Sequence, residues 1–249
     1  MPSNKVSIIT VVKNRVDLIE QAISSVQAQS YPLIEHVIVD GASTDGTIDV
    51  AKELINDKTI FISESDRGIY DALNKGVLIS TGDIIGVLHS DDCFSDDFVI
   101  AQVAKLFEDP LVDLVYADLE YVSKSNQAKI IRCWSAGQFS KEKLAWGWMP
   151  PHPTVFFRRR VYEIYGGYDL SFKISGDYDF LLRILSVVDI KFAYLQRVIV
   201  KMRVGGKSNN TLRHLLLKMR EDYRSIKKNK IGGLKTIFFK NLLKLHQFF

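Results

Sequence analysis

The sequence predicts an α/β fold with a mainly parallel sheet, helices on both faces and amphipathic helices at the C-terminal end. Three observations carry that reading. Short Val- and Ile-rich runs alternate with amphipathic stretches over the first 117 residues. A length of 249 residues is enough to bury one sizeable core. The composition, 47% apolar and 25% charged, is that of an ordinary folded chain.

Val6–Val12, Ile34–Asp40, Thr59–Ser63, Asp83–Leu88 and Leu114–Ala117 read as strands buried on both faces, because each is short and nearly continuous in apolar residues. Between them, Val16–Gln29, Thr47–Ile55, Ile69–Ile79 and Ser95–Phe107 read as helices. In the first, Ile19, Ile23 and Val26 fall on one face. Gly46 and Ser95 supply acceptable helix starts. Strands alternating with helices imply right-handed crossovers and parallel pairing. After Tyr116 the pattern changes. Residues 121–124 and 129–134 suggest a hairpin, and Trp146–Pro153, with three prolines, excludes a regular helix. Asp177–Leu185 reads as a helix, Ile190–Leu195 and Val198–Met202 as two strands, and 204–210 as a loop. Leu212–Ile226 and Leu234–Phe249 then show helical periodicity.

Charge divides the chain. From Arg213 to Phe249 there are ten Lys and Arg against Glu221 and Asp222, whereas residues 1–212 are net acidic. The body therefore has no basic patch of the kind that binds nucleic acid. Cys93 and Cys133 form no metal-type spacing, which suits a reduced cytosolic chain. Met1–Lys5 shows no secretory signal, and no apolar stretch reaches the roughly 18 residues of a membrane span. The expected location is cytoplasmic.

In open α/β sheets ligands bind beyond the carboxyl ends of the strands. The first strand runs into Lys13-Asn14-Arg15 with no glycine, which argues against a dinucleotide fold or a P-loop. Asp40 ends the second strand, and Ser43–Thr47 reads as a turn with Asp45 as a helix cap. Asp66, Arg67 and Gly68 follow the third strand. Arg67 is placed to meet a diphosphate, whereas Asp71 and Lys75 have the spacing of a helical ion pair. His89-Ser90-Asp91-Asp92 follows the fourth. Adjacent carboxylates there need a compensating cation or donors: either a divalent ion bridges one of them to a diphosphate, or both favour the next helix N-terminus.

Together, Val6–Thr10 with Asn14, Val39–Thr47, Gly68 with Asn74-Lys75-Gly76, and Ser90-Asp91-Asp92 resemble the family 2 glycosyltransferases of the GT-A, Rossmann-like fold, over about residues 5–205. The resemblance implies a nucleotide-sugar-binding half at 1–117 and an acceptor-binding half at 118–210 of one catalytic domain, and charge and periodicity add a basic helical tail at 211–249. It implies donor contacts at Thr10, Val11, Asn14, Arg15, Asp40, Asp66, Arg67, Gly68, Asn74 and Lys75. Asp91 would face the ribose and sugar, and Asp92 would ligate Mg²⁺ or Mn²⁺ on the diphosphate. Asp177 falls on the general-base position of an inverting transfer, though by itself it also reads as a helix cap. Asp179 and Arg183 read as a structural ion pair. His152, Trp146 and Trp148 are implied on the acceptor side, with a packing role for the tryptophans equally open. Arg203 and Lys207 lie on a segment similar to the one that closes over the diphosphate.

Four departures from the family pattern stand out. Gly41 replaces a common second Asp, Leu73 a common Arg, and Gly176 a common Glu, and the Gln-x-x-Arg-Trp motif of processive synthases is absent. The implied reaction is transfer of one sugar from a UDP-hexose or similar donor to a glycan or lipid-linked glycan. The alternative is a sugar-nucleotide-binding protein without turnover. The tail has Leu212, Leu216, Met219, Tyr223 and Ile226 on one face, and Leu234, Phe238, Leu242, Leu245 and Phe249 on another. It suits either an anionic membrane surface at the cytoplasmic face, or packing on the catalytic domain or on a second subunit of a homodimer.

Overall fold

The computed structural model describes residues 4–187, 189–205 and 212–245. Four parallel strands open the fold: β1 (Val6–Val12), β2 (Ile34–Asp40), β3 (Thr59–Ser63) and β4 (Ile84–Val87). Helices α1 (Ile19–Gln27), α2 (Thr47–Leu54) and α3 (Ile69–Ile79) connect them. The first two strands are buried throughout, as their apolar runs require, while β3 is a half-exposed edge strand rather than a doubly buried one. Expected helix starts lie up to four residues upstream of the observed ones: α1 begins at Ile19, and α4 (Val99–Leu106) follows a short β5 (Cys93–Phe94).

The second half contains β6 (Leu114–Val122), β7 (Ile130–Trp134), α5 (Lys141–Ala145), β8 (Phe156–Arg158), α6 (Arg159–Tyr165), α7 (Gly176–Leu185) and β9 (Phe192–Arg203). The strand order is β3-β2-β1-β4-β8-β6-β9-β5, with β7 paired to β6. The α/β fold is as expected, with β1–β4 parallel and β9 parallel to β6, and antiparallel pairs in the second half make the sheet mixed. β8 runs antiparallel between β4 and β6, the β6–β7 pair is a hairpin, and β5 runs antiparallel to β9. The β6–β7 hairpin and the short β8 supply the antiparallel pairs, whereas β9 returns parallel to β6 across the long crossover that carries α6 and α7. β9 is also one continuous strand, where the sequence suggested two. Register shifts at Ala117–Leu119 of β6 absorb the irregularity near Gln196–Arg197. The boundary expected between 117 and 118 falls inside β6, so both halves share one sheet.

Apolar cores lie on both faces. Ile9, Leu73, Tyr116, Phe157 and Phe180 belong to one, and Ile8, Ile84, Val103, Phe107 and Phe156 to the other. Adjacent Phe156 and Phe157 serve opposite faces, as successive strand residues must.

The tail folds as α8 (Leu212–Lys228) and α9 (Leu234–Leu245). It docks on the catalytic domain through α7. Ser225 and Ile226 are fully buried, and Asp222 pairs with Lys218 at 3.1 Å and with Lys240 at 2.7 Å. Burial works against the Asp222 charge, but Lys240 and Lys218 hold its pKa below the ordinary value. Ile226, on the face expected either at a membrane surface or packed on the catalytic domain or a second subunit, belongs to this docked side.

Candidate active site

β1 is the switch point of the sheet: β2 lies on one side and β4 on the other. Beyond the ends of β1 and β4 is the place where open α/β sheets bind their ligands. At the β1 end, Thr10 is fully buried and its hydroxyl meets His36 Nε2 at 2.9 Å; Val11 is buried as well. Burial lowers the His36 pKa to about 3. Asn14 has a left-handed φ of 53°. Its side chain accepts from the Thr44 amide at 2.9 Å, and its own amide donates to Ser43 Oγ at 2.8 Å. The Arg15 amide donates to Thr47 Oγ1 at 2.8 Å. These bonds stitch the loop after β1 to the loop after β2. Asp40 sits inside the stitch, accepting from the Ser43 amide at 2.9 Å and from Ser63 Oγ at 2.7 Å. Asp45 is a cap, bonded to the Thr47 and Val16 amides.

At the β3 end, Asp66 leans against Gly41 and accepts from the Gly68 amide at 2.9 Å. Arg67, largely exposed, pairs with Asp71 at 3.0 Å. Lys75 pairs with Glu64 at 2.7 Å and with Asp71 at 3.5 Å, so the helical ion pair forms with a third member. The Asn74 side chain accepts from the Tyr168 amide at 2.8 Å and donates to the Tyr168 carbonyl at 2.9 Å. Both ends of its amide thus hold the 167–168 turn.

The β4 end is electrostatically unusual. Asp92 is 2% exposed, and neither carboxylate oxygen has a hydrogen-bond partner among the described residues. Burial and the adjacent Asp91 push its pKa well above the ordinary carboxylate value, and the Arg203 backbone and guanidinium offset this only in part. Arg203 ends β9 and also donates to the Lys124 carbonyl at 2.8 Å. Lys207 lies outside the described residues.

Asp91 and Asp177 act together on His89, opposing the burial that lowers its pKa. The His89 and His152 rings stand 6.2 Å apart, and His152 Nε2 is 3.4 Å from the Tyr168 hydroxyl. Burial lowers the His152 pKa to about 4 against the pull of Asp177. Asp177 Oδ1 accepts from the Tyr178 amide at 2.8 Å and from the Tyr70 hydroxyl at 3.3 Å. Acid pair, histidines and helix-start carboxylate thus converge on one region. His89, Tyr70 and Tyr168 escaped the sequence reading. His89 stood next to the acid pair at a strand end, a visible signal; the tyrosines left none, because their place depends on packing across the chain.

The tryptophans do not join this group. Trp146 packs edge-on against Phe239 at 4.6 Å. Trp148 donates to the Ala136 carbonyl at 2.7 Å and packs on Tyr116. Asp179 is not paired with Arg183. It is fully buried and bonded to Ser225 and Lys228, while Arg183 donates to the Gly167 carbonyl.

Residues 7–164 match Glycosyl transferase family 2, more than half of the chain. The chain belongs to glycosyltransferase family 2. It is an enzyme of sugar transfer. A relative, a PGL/p-HBAD biosynthesis glycosyltransferase of Mycobacterium bovis, is 30% identical over 210 residues, which cover 83% of this chain and 79% of the relative. An uncharacterized glycosyltransferase of Mycobacterium tuberculosis is 33% identical over 181 residues, covering 72% and 68%. Two solved structures share the GT-A fold. The mannosyltransferase PcManGT from Pyrobaculum calidifontis, in complex with GDP-Man and Mn²⁺, has a TM-score of 0.69 at 22% identity, covering 98% of this chain and 69% of that one. S. aureus TarS 1-349 with UDP-GlcNAc has a TM-score of 0.69 at 15% identity, covering 94% and 69%.

Two departures of this family 2 chain have steric explanations. A Cβ at Gly41 would lie 2.1 Å from Asp66 Oδ2, so the Asp66 carboxylate occupies the space of the common second Asp. A Cβ at Gly176 would lie 2.7 Å from the Tyr70 ring, so no larger residue fits there while Tyr70 holds its place.

Proposed function

We propose that this glycosyltransferase moves one sugar, with inversion, from a UDP-hexose or similar donor to a hydroxyl of a glycan or lipid-linked glycan. The observation that carries the reading is Asp92: a buried carboxylate beside a second one, with both oxygens unpartnered, at the switch point. No group of three or more His, Cys, Asp or Glu surrounds one point among the described residues. A single buried carboxylate with both oxygens unpartnered suits a hard cation that takes one ligand from the protein and most of its others from a diphosphate. Asp92 would hold Mg²⁺ or Mn²⁺, which when bound acts as a Lewis acid on the departing diphosphate. The GDP-Man and Mn²⁺ in the P. calidifontis mannosyltransferase structure support this.

The chain's own residues supply the rest. Asp91 contacts the ribose and sugar, and Asp40 and Asp66 flank the base. Asp177 accepts the proton of the acceptor hydroxyl as that oxygen attacks the anomeric carbon. The bond from the Tyr178 amide and the nearby Tyr70 hydroxyl, 3.3 Å away, orient the carboxylate for that transfer. His152 and His89 line the acceptor side, and Arg203 reaches toward the diphosphate. Nucleotide release from a panel of donors, UDP-hexoses first and GDP-mannose second, with Mn²⁺ and EDTA arms, is the test. If no donor binds or turns over, the reading fails. Donor binding without turnover would mark a sugar-nucleotide-binding protein instead.

The tail carries a second surface. Leu215, Leu216 and Met219 on α8 and Leu234, Phe238 and Leu242 on α9 are exposed. Trp146, Lys227, Leu234 and Lys235 line an open cleft beside them. Apolar residues among cations suit an anionic bilayer surface. No helix among the described residues is long and apolar enough to cross a membrane. Flotation with anionic vesicles should carry the protein upward, and Leu234→Glu with Phe238→Glu should abolish this. Equal flotation of both proteins would sink the membrane reading.

A further inference from the structure

α7 begins without a side-chain cap: Ser175 occupies the N-cap position and makes no capping bond. The backbone amides before it are satisfied from elsewhere. Lys173 donates to Glu221 Oε1 at 2.9 Å, and Ile174 and Ser175 each donate to Glu221 Oε2 at 2.9 Å. Glu221 comes from α8 and is 6% exposed. A carboxylate so buried is held by charge-assisted bonds, and the start of a helix is where the backbone favours an anion.

The same short segment is gripped from its other side. The Tyr70 hydroxyl donates to the Ile174 carbonyl at 2.6 Å and reaches Asp177 Oδ1 at 3.3 Å. The residue-174 amide and carbonyl are thus fixed by two side chains from distant elements, one turn before Asp177. α8 is itself anchored, since Lys228 bridges Asp169 at 2.8 Å and Asp179 at 3.1 Å. We infer that Glu221 is a positioning residue for Asp177, which makes α8 part of the catalytic assembly rather than an appended tail. The inference rests on the reading of Asp177 as the base. Position matters steeply at such a group, since a displacement of about 1 Å can cost on the order of 100-fold in rate.

The test compares the full-length variants Glu221→Gln, Glu221→Asp, Asp177→Asn and Lys228→Met, with kcat, donor KM and melting temperature measured for each. Gln loses the charge and turns an N–H toward the amides; Asp keeps the charge but falls one methylene short. Both should lower kcat by about 10- to 100-fold, with donor KM within about twofold of wild type. Lys228→Met removes anchoring bridges without touching the loop amides, and should leave kcat within about threefold even at an equal loss of melting temperature. Glu221→Gln added to Asp177→Asn should cause no further loss, because both act through one carboxylate. A wild-type kcat in folded Glu221 variants, or losses that merely track melting temperature across all variants, would overturn the proposal alone. If both Glu221 variants fail to fold, Glu221 is a folding residue and the proposal also falls. Full activity in Asp177→Asn would instead remove the base reading and the inference with it.

Discussion

Gly41 and Asp66 share one space. The Asp66 carboxylate lies where a side chain at residue 41 would begin, with Oδ2 only 2.1 Å from an ideal Cβ. Asp66 thereby brings a carboxylate next to Asp40 from β3 rather than from β2. Gly41→Asp should weaken donor binding at least tenfold and destabilise the protein by about 1–3 kcal/mol through overpacking. Adding Asp66→Gly should recover most of both. Calorimetric donor titration and thermal denaturation check this, and a double variant no better than the single one would refute the exchange.

Gly176 is set against the Tyr70 ring, three of whose carbons would crowd a Cβ at 2.7–2.9 Å. Restoring the family's common Glu at this position should therefore lower kcat rather than raise it. Gly176→Ala should already cost about 1–3 kcal/mol in urea denaturation. Pairing it with Tyr70→Ala should relieve the clash but not the activity, since Tyr70 also bonds Ile174 and Asp177.

Asp92 should separate stability from function. Without metal, its buried charge is offset only in part by Arg203 and stands beside Asp91, so Asp92→Asn should leave the metal-free protein as stable as wild type or raise its melting temperature by a few degrees. The same change should reduce turnover by at least about 100-fold and remove the Mn²⁺-dependent rise in donor affinity. A metal-free Asp92→Asn protein that melts well below wild type would show that the carboxylate is held by partners of its own.

His36 predicts acid lability. Its folded pKa of about 3 lies below the ordinary imidazole value, because burial disfavours the cation. The unfolded chain takes up a proton below about pH 6.5 that the native state refuses until about pH 3, so stability falls as pH drops through this window. The slope from this one group approaches about 1.4 kcal/mol per pH unit. His36→Gln, whose amide can keep a bond to Thr10, should flatten the dependence between pH 6.5 and 4 in urea titrations. An unchanged slope would mean that His36 is already charged in the native state.

Four parallel strands, their connecting helices and the acids at the strand ends were legible from the sequence, because apolar period and strand-end position are local properties. β1, β2, β3 and α3 lie where the pattern put them. The Asp91-Asp92 pair was open between cap and metal ligand on spacing alone, and its two unpartnered buried oxygens became visible only in three dimensions. Other features depended on contacts between residues far apart in the chain. The antiparallel β8, the merger of two expected strands into β9, the commitment of Asn74 to Tyr168 and the pairing of Asp179 with Lys228 instead of Arg183 are of this kind. A helical i,i+4 spacing makes an ion pair available, but burial decides which partner completes it. Sequence therefore determined which groups the site could use. Tertiary structure decided how they are held, including a carboxylate on α8 that fixes the loop before Asp177.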